Sequence, residues 1–295
     1  MKNHLMFGAL LGAALALVGP LAGEGRGDFI LRNDEQLTVN SVHIQGTLYD
    51  RSRASVVPGG TVTDYLRTYN SSKVDVSGGY VGYILAYETS AVHLSGGCVP
   101  TLNAFAASAV DIAVGGDVDR LDAFGTSTVH LTGGIVDTLL ARDTSAVHLS
   151  SQCVRVGALT TLNSSTVHFT GGIVNTLSVQ NTSAVDISGM SRVSWLGTFD
   201  TSMVHLSGGT VDRLDAFENS AVTFYGKDFF LGTGLSLDGE RVLGTGILSG
   251  RWLGGTTWAV NITGNDSGAT ILLMPEPTTL ALLALGGLLA LRRRR

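Results

Sequence analysis

The phrase STVHLTGGIVDTL at residues 127–139 returns as STVHFTGGIVNTL at residues 165–177, with two changes in thirteen positions. The phrase belongs to a series. Serines that open a unit stand at positions 72, 90, 108, 127, 145, 165, 183, 202 and 220, in nearly equal steps. A degenerate unit, ASVVPGGTVTDYL at residues 54–66, precedes them. A fixed period near 20 leaves few folds open, because a unit so short cannot bury a core alone and must stack on its neighbours.

The consensus within a unit is S-x-V-x-h-S-G-G-x-V-x-x-L-x-A, where h is apolar. Val recurs two residues after each Ser, and an apolar residue two further on, as in Val129 and Leu131 or Val167 and Phe169. That alternation has period two, so the segment reads as a strand with Val and h on one face. The Gly pair permits a tight turn through positive φ. A second strand carries Val81, Val99, Val118, Val136, Val154, Val174, Val193 and Val211, followed by Leu102, Leu121, Leu139, Leu177 and Leu214 and then a polar turn back to Ser. No unit holds a helical period. The expected fold is all-β: a parallel β-helix (β-solenoid) of about nine to ten coils of 18–20 residues, spanning residues 53–226, each coil ~4.8 Å from the next.

A solenoid needs covered ends. Residues 26–52, with the alternating LTVNSVHIQG, are expected to form an N-terminal β cap. Residues 227–274 break the period and are expected to form a C-terminal β cap, with a hairpin at Asp238-Gly239 and Trp252 and Trp258 in its packing.

Chemistry-bearing residues fall into columns. The outward position between Val and h reads Asp75, His93, Asp111, His130, His148, His168, Asp186, His205 and Thr223, and takes five of the seven His. His93, His130, His148, His168 and His205 would form one exposed ladder. Imidazoles and carboxylates at the coil spacing suit a divalent metal by ligand type. A flat column supplies ligands from one direction only, so the reading adopted is a solvated, hydrogen-bonding face with no metal. Cys98 and Cys153 fall at the same consensus position three coils apart, ~14 Å by coil count and beyond disulfide reach, which predicts two free thiols. Thr89, Thr126, Thr144, Thr182 and Thr201 precede their Ser, but Ala107, Ser164 and Asn219 interrupt the rank, so corner Thr is preferred over an ice template. VDRLDAF occurs at residues 118–124 and 211–217 and reads as solvated Asp–Arg pairs. Coils with so few insertions offer no walls for a cleft. No nucleophile motif, phosphate loop or metal signature is present, and no catalytic residue or cofactor is assigned.

The two ends read differently. Residues 1–25 have the layout of a signal peptide: Lys2, an apolar run from Leu5 to Val18, then Gly19-Pro20 and small residues, with Ala22, Gly23 or Gly25 before the cut. The Sec translocon would be its partner. Residues 275–295 open on Pro275-Glu276-Pro277, continue through an apolar stretch from Leu280 to Leu291, and end on Arg292, Arg293, Arg294 and Arg295. A helix over that stretch would span about 20 Å, short against a ~30 Å hydrocarbon core, with the Arg tail holding it on the cytoplasmic side as a membrane stop.

This tripartite tail resembles the PEP-CTERM sorting signal of Gram-negative bacteria. The resemblance covers residues 275–295 and implies Pro275, Glu276 and Pro277 as the recognition motif for a membrane exosortase. It also implies an inner-membrane intermediate, removal of the tail, and delivery to the cell surface or extracellular matrix, often alongside exopolysaccharide. The same signature is labelled an ice-binding-protein C-terminal domain, which describes the company the tail keeps rather than an activity.

Without residues 1–23 and 275–295 the chain holds 14 basic and 23 acidic residues, a formal −9. Such a body gives no footprint for nucleic acid. The function expected is an exported cell-surface or matrix protein with a structural or adhesive solenoid. The alternatives are a carbohydrate-, ice- or cation-binding surface, or a polysaccharide-active β-helix enzyme.

Overall fold

The computed structural model describes residues 27–275; the signal-peptide reading and the tail after Pro275 lie outside the described residues. The body is an all-β solenoid of about 11 turns, one or two more than the Ser series counts. No helix occurs among the described residues.

Each turn contributes to three parallel columns of strands. The first holds the Ser-x-Val-x-h segments, in register as Val129 beside Val147 beside Val167. The second aligns Val118, Val136, Val156, Val174, Val193 and Val211. The third aligns Leu102, Leu121, Leu139, Leu159, Leu177, Leu196 and Leu214. These Val and Leu side chains point inward and are buried, so one continuous apolar core runs through the stack. The period-two pattern therefore fixes which face is core, and the coil repeat fixes which residue meets which.

The Ser that opens each coil is buried, from Ser52 through Ser220. Its backbone N–H closes a turn onto the carbonyl three residues back, as Ser72 does onto Tyr69 and Ser145 onto Arg142. Where the preceding coil carries Thr at the end of its third strand, the hydroxyls meet: Thr68 with Ser90, Thr161 with Ser183 and Thr198 with Ser220, each at 2.9 Å. Where that position is Ala86, Ala104, Ala123 or Val179, the hydroxyls of Ser108, Ser127, Ser145 and Ser202 have no hydrogen-bond partner. Ser is small enough for this corner in every coil; at Ser165, which follows Ala141, the hydroxyl donates to the Ala141 carbonyl and accepts from the N–H of Leu162 instead.

One register differs from the consensus. In the coil from Ser145 to Ser164, the longest of the series, a bulge between Leu149 and Arg155 moves the second strand on by two. Val156 rather than Val154 therefore takes the column position, although both are buried. Cys153 thereby leaves the Cys98 column. Cys98 lies between Tyr80 and Asp117, and Arg155 holds the matching place three coils later. Both thiols are free.

The coils also begin earlier than the Ser series. Leu37 aligns with Ala54 and Val39 with Val56, and Phe29–Leu31 pairs in parallel with Gly46–Leu48. Residues expected in a separate cap are thus turns of the solenoid. Phe29, Leu31 and Leu37 pack on this end of the core, and a Cβ on Gly46 would collide with the Phe29 ring, so Gly46 is the notch that seats it. At the other end the chain leaves Ala221–Leu231 and forms antiparallel hairpins. Leu235–Asp238 pairs with Arg241–Gly244 around Gly239-Glu240, and Gly246–Trp252 pairs with Thr257–Asn265. The chain then rejoins the stack, with Ile262 beside Leu214 and Ile271 beside Val222. Trp258 stacks on Trp252 at 4.7 Å and on Phe224 at 5.0 Å, closing the core.

Candidate functional site: the histidine column

The outward residues of the first column stand in one file from Asp75 to Thr223, in the order the repeat implies. His93, His130, His148, His168 and His205 all occupy it. The three consecutive His stack ring on ring: His130 on His148 at 4.7 Å, and His148 on His168 at 5.1 Å with planes 16° apart. Beyond them Asp186 bridges two rings, 3.1 Å from Nδ1 of His168 and 3.1 Å from Nδ1 of His205. At the other end Arg53 bonds Asp75 through Nε at 2.5 Å.

The middle ring is the most enclosed. Burial, followed by the like charges that His130 and His168 would carry, lowers the pKa of His148 below the ordinary imidazole value. The neutral ring is therefore favoured at the centre of the stack. The geometry does not suit zinc shared between neighbours. The rings lie face to face with their planes 27° and 16° apart, so the in-plane lone pairs of neighbouring nitrogens run side by side instead of converging on one ion. Among the described residues no group of three or more His, Cys, Asp or Glu converges as a metal site.

Two further ladders were not singled out in the sequence. The residue two before each buried Ser is left-handed: Asp50, Asn70, Glu88, Ala106, Asp143, Asn163, Asn181, Asp200 and Glu218, with φ between 56° and 61°, and Gly125 at 66°; Asn33, two before Glu35, takes the same conformation. Asn and Asp tolerate this conformation best among side-chain-bearing residues. Here they also act between coils, by accepting from a backbone N–H of the coil before. Glu88 takes the N–H of Asn70, Asp143 that of Gly125, Asp200 that of Asn181 and Glu218 that of Asp200. The carboxylates of this acidic corner are engaged in the fold.

One residue earlier runs an aromatic ladder. Tyr49, Tyr69, Tyr87, Phe105 and Phe124 stack at 4.9–5.1 Å. Arg32 covers the Tyr49 end at 4.9 Å and Arg142 the Phe124 end at 5.6 Å. Every ring face of this run is therefore occupied, and none is left flat and bare for a sugar or a base. A signal for both ladders lay in the polar turn before each Ser, which recurs with the same period.

The Thr rank is also engaged. Thr89, Thr126, Thr144, Thr182 and Thr201 each donate to a carbonyl of the preceding coil's corner, at 2.8–3.1 Å. The VDRLDAF pairs are less solvated than their composition suggests. Arg120 grips Asp122 and Arg213 grips Asp215, and both carboxylates are buried. Asp215 accepts in addition from the Trp195 indole at 2.6 Å and from the Thr263 hydroxyl. Burial opposes its ionisation, but the hydrogen bonds from Thr263, Trp195 and Arg213, with the charge of Arg213, hold its pKa below the usual carboxylate value.

Among the described residues, shallow hollows of about 380 Å³ beside Arg51, Arg53 and Lys73 and of about 290 Å³ beside Gln152, Met190 and Arg192 are present. The second exists because bulged coils flank the tight Gly171-Gly172 turn. Neither hollow gathers a nucleophile, a base and an orienting group. Comparison with protein-family models, with curated proteins and with solved structures finds no match to this chain.

Proposed function

We propose that this chain is an exported structural or adhesive solenoid, sorted to the cell surface or matrix through its PEP-CTERM-like tail. The observation that supports a structural role is the unbroken stack itself. Its corner carboxylates, Thr hydroxyls and aromatic faces are spent on holding one coil to the next, so the extended flat faces are what the molecule offers to others. The PEP motif and Arg run support the surface address by resemblance, with an exosortase as processing partner and the Sec translocon as exit. In this reading the protein is no enzyme. An ice-binding role is disfavoured, because the Thr hydroxyls are donated to carbonyls of the neighbouring coil and their rank is broken.

Deleting residues 275–295 tests the address. The expected outcome is loss of surface retention, read by surface labelling of intact cells against total chain. Unchanged retention would end the sorting proposal.

A further inference from the structure

We propose that the stacked imidazoles of His130, His148 and His168 form a docking strip for an acidic polysaccharide, open in acid and closed at neutral pH. The proposal rests on the reading of the body as a surface solenoid and names the ligand class its flat face takes.

The geometry carries it. Three rings at spacings of 4.7 and 5.1 Å make a straight, exposed row on a flat sheet. The flanking outward positions hold only Thr128, Ala146 and Thr166 on one side and Thr132, Ser150 and Thr170 on the other. Hydroxyls thus border the row, and no Lys or Arg lies among these positions. The carboxylates that bound the patch are Asp111 next to His130, Asp186 next to His168, and Asp143 at the corner. Asp186 is already shared by His168 and His205, and Asp143 accepts from Gly125 and Asn163.

The charge on this strip is set by pH alone. Imidazole is the side chain that ordinarily gains its proton between about pH 5 and pH 8. With the rings neutral, the acidic body repels any polyanion. In acid the row becomes a run of like charges about 5 Å apart, which repel one another and lack a counter-charge on two of the three rings. An extended chain with one negative group per coil spacing supplies it. By linkage, a ligand that prefers the protonated row binds more tightly as pH falls and pulls protons onto it. The lowered proton affinity of the half-buried central ring favours the closed state at neutral pH. An acidic polysaccharide fits better than nucleic acid, which is held mainly by Lys and Arg on phosphates and by bases stacked on free aromatic faces. The strip has neither, and the aromatic ladder is occupied.

The test uses the full-length chain in neutral detergent and sodium polygalacturonate on a biosensor, with neutral dextran as control. Binding to polygalacturonate at about pH 5 is expected to be at least about tenfold tighter than at about pH 7.5, with none to dextran. The triple variant H130T/H148T/H168T should lose that gain; Thr is chosen because Thr223 holds the same column position. Should the triple variant fail the circular dichroism check, His148→Thr alone is expected to weaken acid binding about threefold. Absence of binding at the lower pH, equal binding at both, or a pH gain that survives the substitutions would each overturn the strip. The assay uses purified protein, so its failure would leave surface sorting standing, and failure of the tail-deletion test would leave the strip standing.

Discussion

At the residue scale, the energetics turn on polar groups that the coil buries. Asp215 shows this most sharply: its carboxylate is nearly enclosed and takes hydrogen bonds from Trp195, Arg213 and Thr263. Replacing it with Asn leaves the guanidinium without its counter-charge. Asp215→Asn is expected to cost about 2 kcal/mol at neutral pH, read from urea denaturation. The pH dependence has a definite sign. The folded pKa is depressed, so the ion's contribution is complete above the unfolded value near 3.9 and is lost as pH falls through the lower folded value. The gap between wild type and variant should therefore narrow below about pH 4, and a gap that stays constant would show that the charge is not what stabilises. The sequence announced this Asp through the repeated VDRLDAF but not its burial. That burial depends on Trp195 one coil earlier and Thr263 from the closing hairpin, which no local pattern connects.

At the scale of the element, the strands and their inward faces were legible because period-two apolarity and the Gly turns are local signals. The His file was legible for the same reason, since nearly equal coil lengths put equal positions side by side. The bulge at residues 150–155 was not, because a coil longer than its neighbours can place the surplus at several points. Hydrophobic bookkeeping alone does not choose between Val154 and Val156, both of which end up buried. The left-handed corner was visible only as a polar turn, yet it is the most regular hydrogen-bonded device in the molecule. Its logic predicts a specific repair. Ala106 interrupts the ladder, leaving the N–H of Glu88 without the side-chain acceptor from the next coil that Asn70, Asn181 and Asp200 enjoy. Ala106→Asn tolerates the same φ and restores the acceptor, so the variant should be more stable by about 1 kcal/mol. A thermal midpoint at or below that of the wild type would show that the rung adds nothing.

At the scale of the whole molecule, each coil packs chiefly on its two neighbours, so stability is close to a sum of coils and interfaces rather than the property of one centre. This explains why the N-terminal turns escaped the Ser series. Glu35 stands where Ser would be and Asn33 holds the corner, and neighbours supply the register that the sequence of this turn lacks. It also makes the repeat removable in whole units. Deleting residues 127–144 joins Thr126 to Ser145, a junction of the kind already present at Thr144-Ser145, and makes Ile112 and Leu149, now separated by Leu131, direct neighbours in their column. The shortened chain is expected to fold with the same far-UV circular dichroism, to lose about 4.8 Å of length in small-angle scattering, and to unfold at a lower urea midpoint. Deleting only residues 127–135 removes half a coil. It sets outward residues of one strand against inward residues of the next and would bury polar groups without partners. That variant should be recovered only as aggregate. If the half-coil deletion folded as well as the full one, the columns would not be what holds the molecule together, because the stacking of Val on Val and His on His would then be a consequence of the fold and not its cause.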